Sequence, residues 1–174
     1  MPVRRLTVSD AAQYRALRLR AFREHPEAFT SSYEEESVKP LANSAQRLAA
    51  SSTGKFWGAF VQAPGATTAV LAGMVGLDRE QRLKNRHKAV IIGLYVAPEF
   101  ARRGMARALL DALLNEARAS DLELLVLTVT RGNQPAEQLY LDAGFMSYGI
   151  EPGAIKVEHQ RFDKNHMFLQ LASS

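Results

Sequence analysis

Cysteine is absent from the 174-residue chain. Its absence excludes disulfides, cysteine nucleophiles and thiolate metal sites together, and is compatible with a reducing cytoplasm, where the protein is expected. No apolar run approaches the ~20 residues of a membrane span, so no membrane association is expected. The opening stretch Met1-Pro2-Val3-Arg4-Arg5-Leu6-Thr7 has no apolar h-region and predicts no secretory signal. The four histidines, His25, His87, His159 and His166, lack metal-ligand spacing, so no metal site is expected. Glycine-based phosphate motifs are missing too. There is no G-x-G-x-x-G, and Gly54-Lys55 is followed by Phe56 without the upstream glycine of a P-loop.

What is present suits one domain over residues 1–174. Hydrophobic residues make up 47% and charged residues 23%, enough apolar material for a core and too ordinary a balance for a disordered chain. Lys and Arg number 22 against 18 Asp and Glu, a net charge of +4. That suits an anionic ligand and is too mild to indicate nucleic acid.

Periodicity gives a coarse map. Residues 3–7 predict a short strand, and Thr7-Val8-Ser9-Asp10 fits a capping box before a helix carrying Tyr14, Leu17 and Ala21. Residues 56–61 and 68–77 predict an antiparallel hairpin across the turn Gln62-Ala63-Pro64-Gly65-Ala66. Residues 40–54 predict a helix and a loop. The run Ala-Val-Ile-Ile-Gly-Leu-Tyr-Val over 89–96 suits a strand covered on both faces. Ala106, Leu109, Leu110, Leu113, Leu114 and Ala117 then recur at helical spacing. Residues 124–129 predict another strand, and Ala136, Leu139, Tyr140 and Ala143 a short helix between Pro135 and Gly144. Glu151-Pro152-Gly153-Ala154 reads as a turn and 166–171 as a last strand. Strand, helix, strand, helix, strand implies a crossover and some parallel pairing: an α/β fold.

Two segments carry chemistry. Arg102-Arg103-Gly104-Met105-Ala106-Arg107 joins the most apolar strand to the best-defined helix. A helix start offers unpaired N–H groups and the positive end of the macrodipole, small residues let an anion approach, and arginines add charge; together they suit a phosphate or diphosphate. The other reading is a tight turn with solvated arginines. In the second segment, Asn133 caps a helix on which Tyr140 is either a packed ring or a reactive phenol.

The two segments together resemble the GNAT family of N-acetyltransferases. The turn Arg102-Arg103-Gly104-Met105-Ala106 after Val96-Ala97-Pro98-Glu99 is similar to the family's CoA diphosphate loop. The run Asn133-x-x-Ala136-x-x-Leu139-Tyr140-x-x-x-Gly144-Phe145 is similar to its second CoA-contacting motif at every fixed position. The resemblance covers residues 89–145, about a third of the chain. It departs at Ala101, where the family usually has Gln or Arg, so the first loop position offers no polar side chain here.

The resemblance implies a mixed, mostly antiparallel sheet with a splayed parallel pair in its middle and helices on its faces. It implies acetyl-CoA as co-substrate: Leu94, Tyr95 and Val96 holding the pantetheine, the Val96 N–H polarising the thioester carbonyl, backbone amides of Arg102, Arg103, Gly104, Met105, Ala106 and Arg107 holding the diphosphate, and Asn133 near the pantetheine. Tyr140 falls where the family often keeps a tyrosine by the sulfur. The implied activity is transfer of an acetyl group to an amine of a small molecule, protein or peptide; the alternative is a silent acyl-CoA sensor.

The general base is not legible. The central strand has no Asp or Glu, which leaves Asp78 and the run Glu34-Glu35-Glu36, with Tyr33 as an aromatic wall, as candidates on the substrate side. The run reads first as a solvated helix start or loop; a carboxylate cluster there would also attract a cationic amine. Arg82, Lys84, Arg86, His87 and Lys88 read as an exposed hairpin loop rather than a nucleic-acid surface. A last strand left at a sheet edge would extend a partner's sheet and give a homodimer.

Overall fold

Seven strands organise the described part of the chain: β1 (Val3–Arg5), β2 (Gly54–Val61), β3 (Val70–Arg79), β4 (Lys88–Val96), β5 (Leu124–Thr130), β6 (Met146–Val157) and β7 (Gln160–Gln170). They form one sheet in the order β1-β2-β3-β4-β5-β7-β6. The computed structural model describes residues 2–62 and 64–171, so Met1 of the opening stretch and Ala63 of the Gln62–Ala66 turn lie outside the described residues. Short reversals force antiparallel pairing at β2–β3, β3–β4 and β6–β7, whereas β4 reaches β5 through a helix and pairs with it in parallel. The basic stretch 80–87 is the β3–β4 connection, largely exposed.

Helices cover both faces. On one face α4 (Met105–Arg118) buries Met105, Leu109, Leu110, Leu113, Leu114 and Ala117 against Trp57, Val75, Ile91 and Leu125, with α5 (Gln134–Asp142) adding Tyr140. On the other, α1 (Ala11–Glu24) sets Tyr14, Leu17 and Ala21 against Phe56, Phe60, Met74 and Tyr95, with Leu48 of α3 (Leu41–Leu48) beside them. Apolar residues every three to four positions place one stripe of each helix on the sheet.

The Thr7–Asp10 box starts a 3₁₀ turn that leads into α1. Asp10 is 6% exposed, and Arg4 grips it with two bonds of 2.9 and 2.8 Å while the Thr7 N–H donates at 2.8 Å. Hydrogen bonding from Arg4 depresses the Asp10 carboxyl below its usual range despite its burial. A depressed carboxyl stabilises the fold above the ordinary Asp pKa of ~3.9, and the contribution is lost as pH falls through the folded-state value. Asp10→Asn is therefore expected to cost about 1–3 kcal/mol at pH 7 and much less near pH 2, measured by urea unfolding. An equal cost at both pH values would contradict the ion pair's role.

Two expectations change. Glu151–Ala154 is a bulge inside β6 rather than a turn between elements. The register passes from Glu151↔Lys164 to Ile155↔Phe162, Pro152 has no N–H to give the ladder, and the Gly153 N–H turns to Asp163 Oδ1 at 2.8 Å. The chain reverses at Glu158 instead, with φ +52°. The C-terminal strand β7 is paired on both sides, by β5 and β6, so it has no edge with which to extend a partner's sheet; that edge belongs to β6.

Candidate active site

The parallel pair at the centre is short. β4 and β5 are matched only over Lys88–Val90 and Leu124–Val126 and then part. The cause lies within β4. Its register against β3 steps from Met74↔Tyr95 to Gly76↔Ile92, leaving one extra residue in β4, and Gly93 takes φ +64°, a conformation that glycine adopts without strain. The bulge bends β4 away from β5. The gap becomes a cleft of about 430 Å³ lined by Ile91 and Tyr140 from the α4–α5 face and by Phe56 and Met74 from the α1 face. It thus runs through the sheet from one face to the other.

The open edge of β4 supplies hydrogen-bonding groups. The Ala97 N–H donates to Ala72 O at 2.9 Å, toward β3. Successive amides of a strand point to opposite edges, so the Val96 and Leu94 N–H groups face the side that β5 has left. The same alternation turns the Tyr95 amide to β3. The Tyr95 side chain is buried under α1, its hydroxyl donating to the Glu24 carboxylate. Of the three residues expected to hold pantetheine, Leu94 lines the cleft, Val96 lies beyond its lining with its N–H toward the same edge, and Tyr95 turns away.

Beyond Val96 the chain turns into α4. Gly104 is the N-cap, at φ +73°, and no side chain caps the helix. The first intrahelical bond, Ala108 N–H to Gly104 O at 3.0 Å, leaves the Met105, Ala106 and Arg107 amides without intrahelical partners. Residues 101–104 are exposed, and a Cβ at Gly104 would meet nothing within 4 Å. The Met105 side chain is buried beneath, Arg107 pairs with Asp111 at 2.9 Å, and Arg103 lies over the Phe100 ring at 5.7 Å. Arg102 holds φ +60°. Arg20 of α1 bonds both oxygens of Glu99 at 2.7 and 2.8 Å and so anchors the approach to this turn; it draws the Glu99 carboxyl down to about 2.

α5 closes one wall. Asn133 caps it, accepting from the Ala136 N–H at 3.4 Å, and both residues line the cleft. The Tyr140 ring is buried against Phe145, with centroids 5.7 Å apart, and burial pushes its phenol above the ordinary tyrosine pKa. No hydrogen bond joins its hydroxyl to another described residue.

The expected substrate-side residues fall elsewhere. Glu35 is consumed in a capping box with Ser32 at the start of α2 (Tyr33–Ser37), and Glu34 is exposed. Arg23 stacks on the Tyr33 ring at 4.3 Å, and Asp78 accepts from Thr53 Oγ1 at 2.8 Å. None of the four lines the cleft. Glu36 bonds Arg18 at 3.0 Å and Lys39 at 2.6 Å. The cleft instead takes Arg18, Arg47 and Lys164, none of them singled out by the sequence reading. Lys164 is 5% exposed and donates to Thr130 Oγ1 and Ala28 O, both at 3.0 Å; burial lowers its ammonium pKa. No motif surrounds these three, and only the fold brings them together.

Among the described residues no three His, Asp or Glu side chains converge on a common point, and no helix is long and apolar enough to cross a membrane. The model of the acetyltransferase (GNAT) family matches residues 18–145. Solved structures match nearly end to end. The acetyltransferase of the GNAT family from Streptococcus pneumoniae has a TM-score of 0.86 at 24% identity, over 98% of this chain and 99% of its own. The yncA protein from Salmonella typhimurium, solved with its cofactor acetyl-CoA, gives 0.79 at 21% over 100% and 95%. Arabidopsis thaliana NAA60 in complex with a bisubstrate analogue gives 0.73 at 21% over 99% of each chain. No curated protein matches the sequence.

Proposed function

The chain belongs to the GNAT acetyltransferase family, and on that premise we propose that it transfers the acetyl group of acetyl-CoA to a primary amine of a small molecule or peptide. The carrying observation is that β4, once parted from β5, leads through the 97–104 turn into a helix start with free amides. That juxtaposition suits a ligand with an extended polar arm and a diphosphate. Open space at Gly104 and the exposed Arg102 and Arg103 fit the diphosphate; the free edge at Leu94 and Val96 fits the arm.

Acetyl-CoA supplies an activated thioester. The Val96 N–H donates to the thioester carbonyl oxygen and strengthens its hold as negative charge develops there. Tyr140, kept protonated by burial, gives its proton to the departing sulfur. A C–N bond forms as the C–S bond breaks, the amine's proton passes to water, and water restores the Tyr140 phenol. Holding amine and thioester together supplies a large share of the barrier reduction. No carboxylate lines the cleft, so the acceptor arrives neutral or loses its proton to solvent. Loss of that proton makes kcat/KM rise with pH, and the raised Tyr140 pKa puts any descending limb from this phenol above pH ~10.

Thiol release from acetyl-CoA over a panel of amines, with the product weighed by mass spectrometry, tests the reading. At least one amine is expected to release thiol with an equal amount of N-acetyl product. Its pH profile should climb to a plateau between pH 6 and about 10. Silence across the panel would overturn the enzyme reading in favour of an acyl-CoA sensor. A limb descending below pH ~9 that Tyr140→Phe removes would contradict the burial-raised pKa of Tyr140 while still marking it as the proton donor.

A further inference from the structure

The α1-side wall of the cleft carries charge of one sign. Arg18, Arg47 and Lys164 line the cleft, and no Asp or Glu does. Lys164 spends its donors on neutral oxygens of Thr130, Ala28 and Glu27. Arg18 has a carboxylate in Glu36, but Lys39 shares it. Arg47 has none: its Nε donates to the Tyr14 hydroxyl at 3.3 Å, and among the described residues nothing accepts from its two Nη nitrogens. Both guanidinium groups are steadied by rings, Arg18 over Phe22 at 5.0 Å and Arg47 over Phe56 at 5.1 Å. Both also line a neighbouring cavity of about 450 Å³ that holds Arg15 and Lys39, with Glu36 as its one acid.

A partly buried guanidinium fork with free donors and aromatic backing suits a planar oxyanion, and the surrounding excess of positive charge repels a second cation. The apolar surfaces of Phe22, Phe29, Phe56 and Met74 share the same wall. We propose that this side of the cleft selects acceptor amines that also carry an oxyanion, a carboxylate or a phosphate, on an apolar body. Acceptors of net positive charge, such as polyamines and lysine side chains, are rejected. The inference rests on the acetyl-transfer reading and names the class of amine that this reading leaves open. It also accounts for a cleft without a carboxylate base. Positive surroundings disfavour the ammonium form, so the bound amine sheds its proton more readily.

The test compares apolar amino acids, their carboxamides and the matched aminoalkyl phosphates and alcohols. Thiol release is read for each, and calorimetry follows the same compounds binding to protein saturated with CoA. Each anionic compound is expected to exceed its neutral partner at least about tenfold in kcat/KM and in affinity, a ratio set by one charge-assisted contact. The acid and phosphate arms show which oxyanion fits. Arg47→Gln should bring the ratio close to one, and Arg47→Lys should restore part of it, which separates charge from packing. Equal handling of acids and amides, or preference for polyamines, overturns the anion site while leaving acetyl transfer intact. Tight binding of acids without thiol release from any amine supports the anion site and overturns the transfer reading. A ratio unchanged in Arg47→Gln removes Arg47 from the proposal.

Discussion

Tyr140→Phe is expected to lower kcat about 10- to 1000-fold with little change in acetyl-CoA affinity, a range within or below what a positioned general acid supplies. The substitution removes one oxygen. The ring stays buried in the cluster with Phe145, so the core and the melting temperature should be nearly unchanged. The hydroxyl bonds to no described residue, and the residue lines the cleft beside Asn133 and Ala136. Burial holds the phenol neutral well above neutral pH, the state a proton donor needs. A thiolate leaving without that proton must wait for water, and the barrier rises accordingly. Single-turnover and steady-state kinetics at saturating acetyl-CoA give the answer. Unchanged turnover would make Tyr140 a packing residue only.

Gly104→Val should act on the other end of the ligand, raising the KM for acetyl-CoA about tenfold or more while changing kcat less. A β-branched residue at φ +73° is strained by about 1–2 kcal/mol, and relief of that strain redirects the amides of the first turn of α4. The added methyls also stand in the space that is open before those amides. Ala at the same site should fall between the two, since it brings the strain with little bulk. Far-ultraviolet circular dichroism and the melting temperature show whether the fold persists, as expected for a change at an exposed residue outside α4's buried stripe. An unaltered KM in the folded Val variant would mean that the α4 turn does not hold the ligand.

These outcomes depend on features of unequal legibility. The α4 stripe from Leu109 to Ala117 was readable because a buried helix face repeats every three to four residues, although the stripe opens on Met105 rather than the expected Ala106, and Asn133 and Gly144 mark the ends of α5 through their capping chemistry. The Gly93 bulge left only a glycine inside an apolar run, and its consequence, the parting of β4 from β5, depends on pairing with β3 that no local pattern encodes. β6 was unreadable for a different reason. Its first seven residues are exposed on both faces of an edge strand, so no alternation marks it, and Pro152-Gly153 resembles a turn. The acceptor wall was hidden most deeply. Arg18, Arg47 and Lys164 come from α1, α3 and β7, each alone an ordinary basic residue, whereas in the more conspicuous acidic run at 34–36 Glu34 is exposed, Glu35 is spent on capping and Glu36 on ion pairs.

The central claim is that the parted strands and the helix start after them form one binding site for coenzyme A. Calorimetric titration of the folded protein with CoA and with acetyl-CoA tests it most directly. The expected result is saturable binding of one ligand per chain, with Kd in the range of about 1 μM to 1 mM usual for co-substrates, weakened in Gly104→Val and preserved in Tyr140→Phe. Absence of binding by either ligand at millimolar concentration would contradict it.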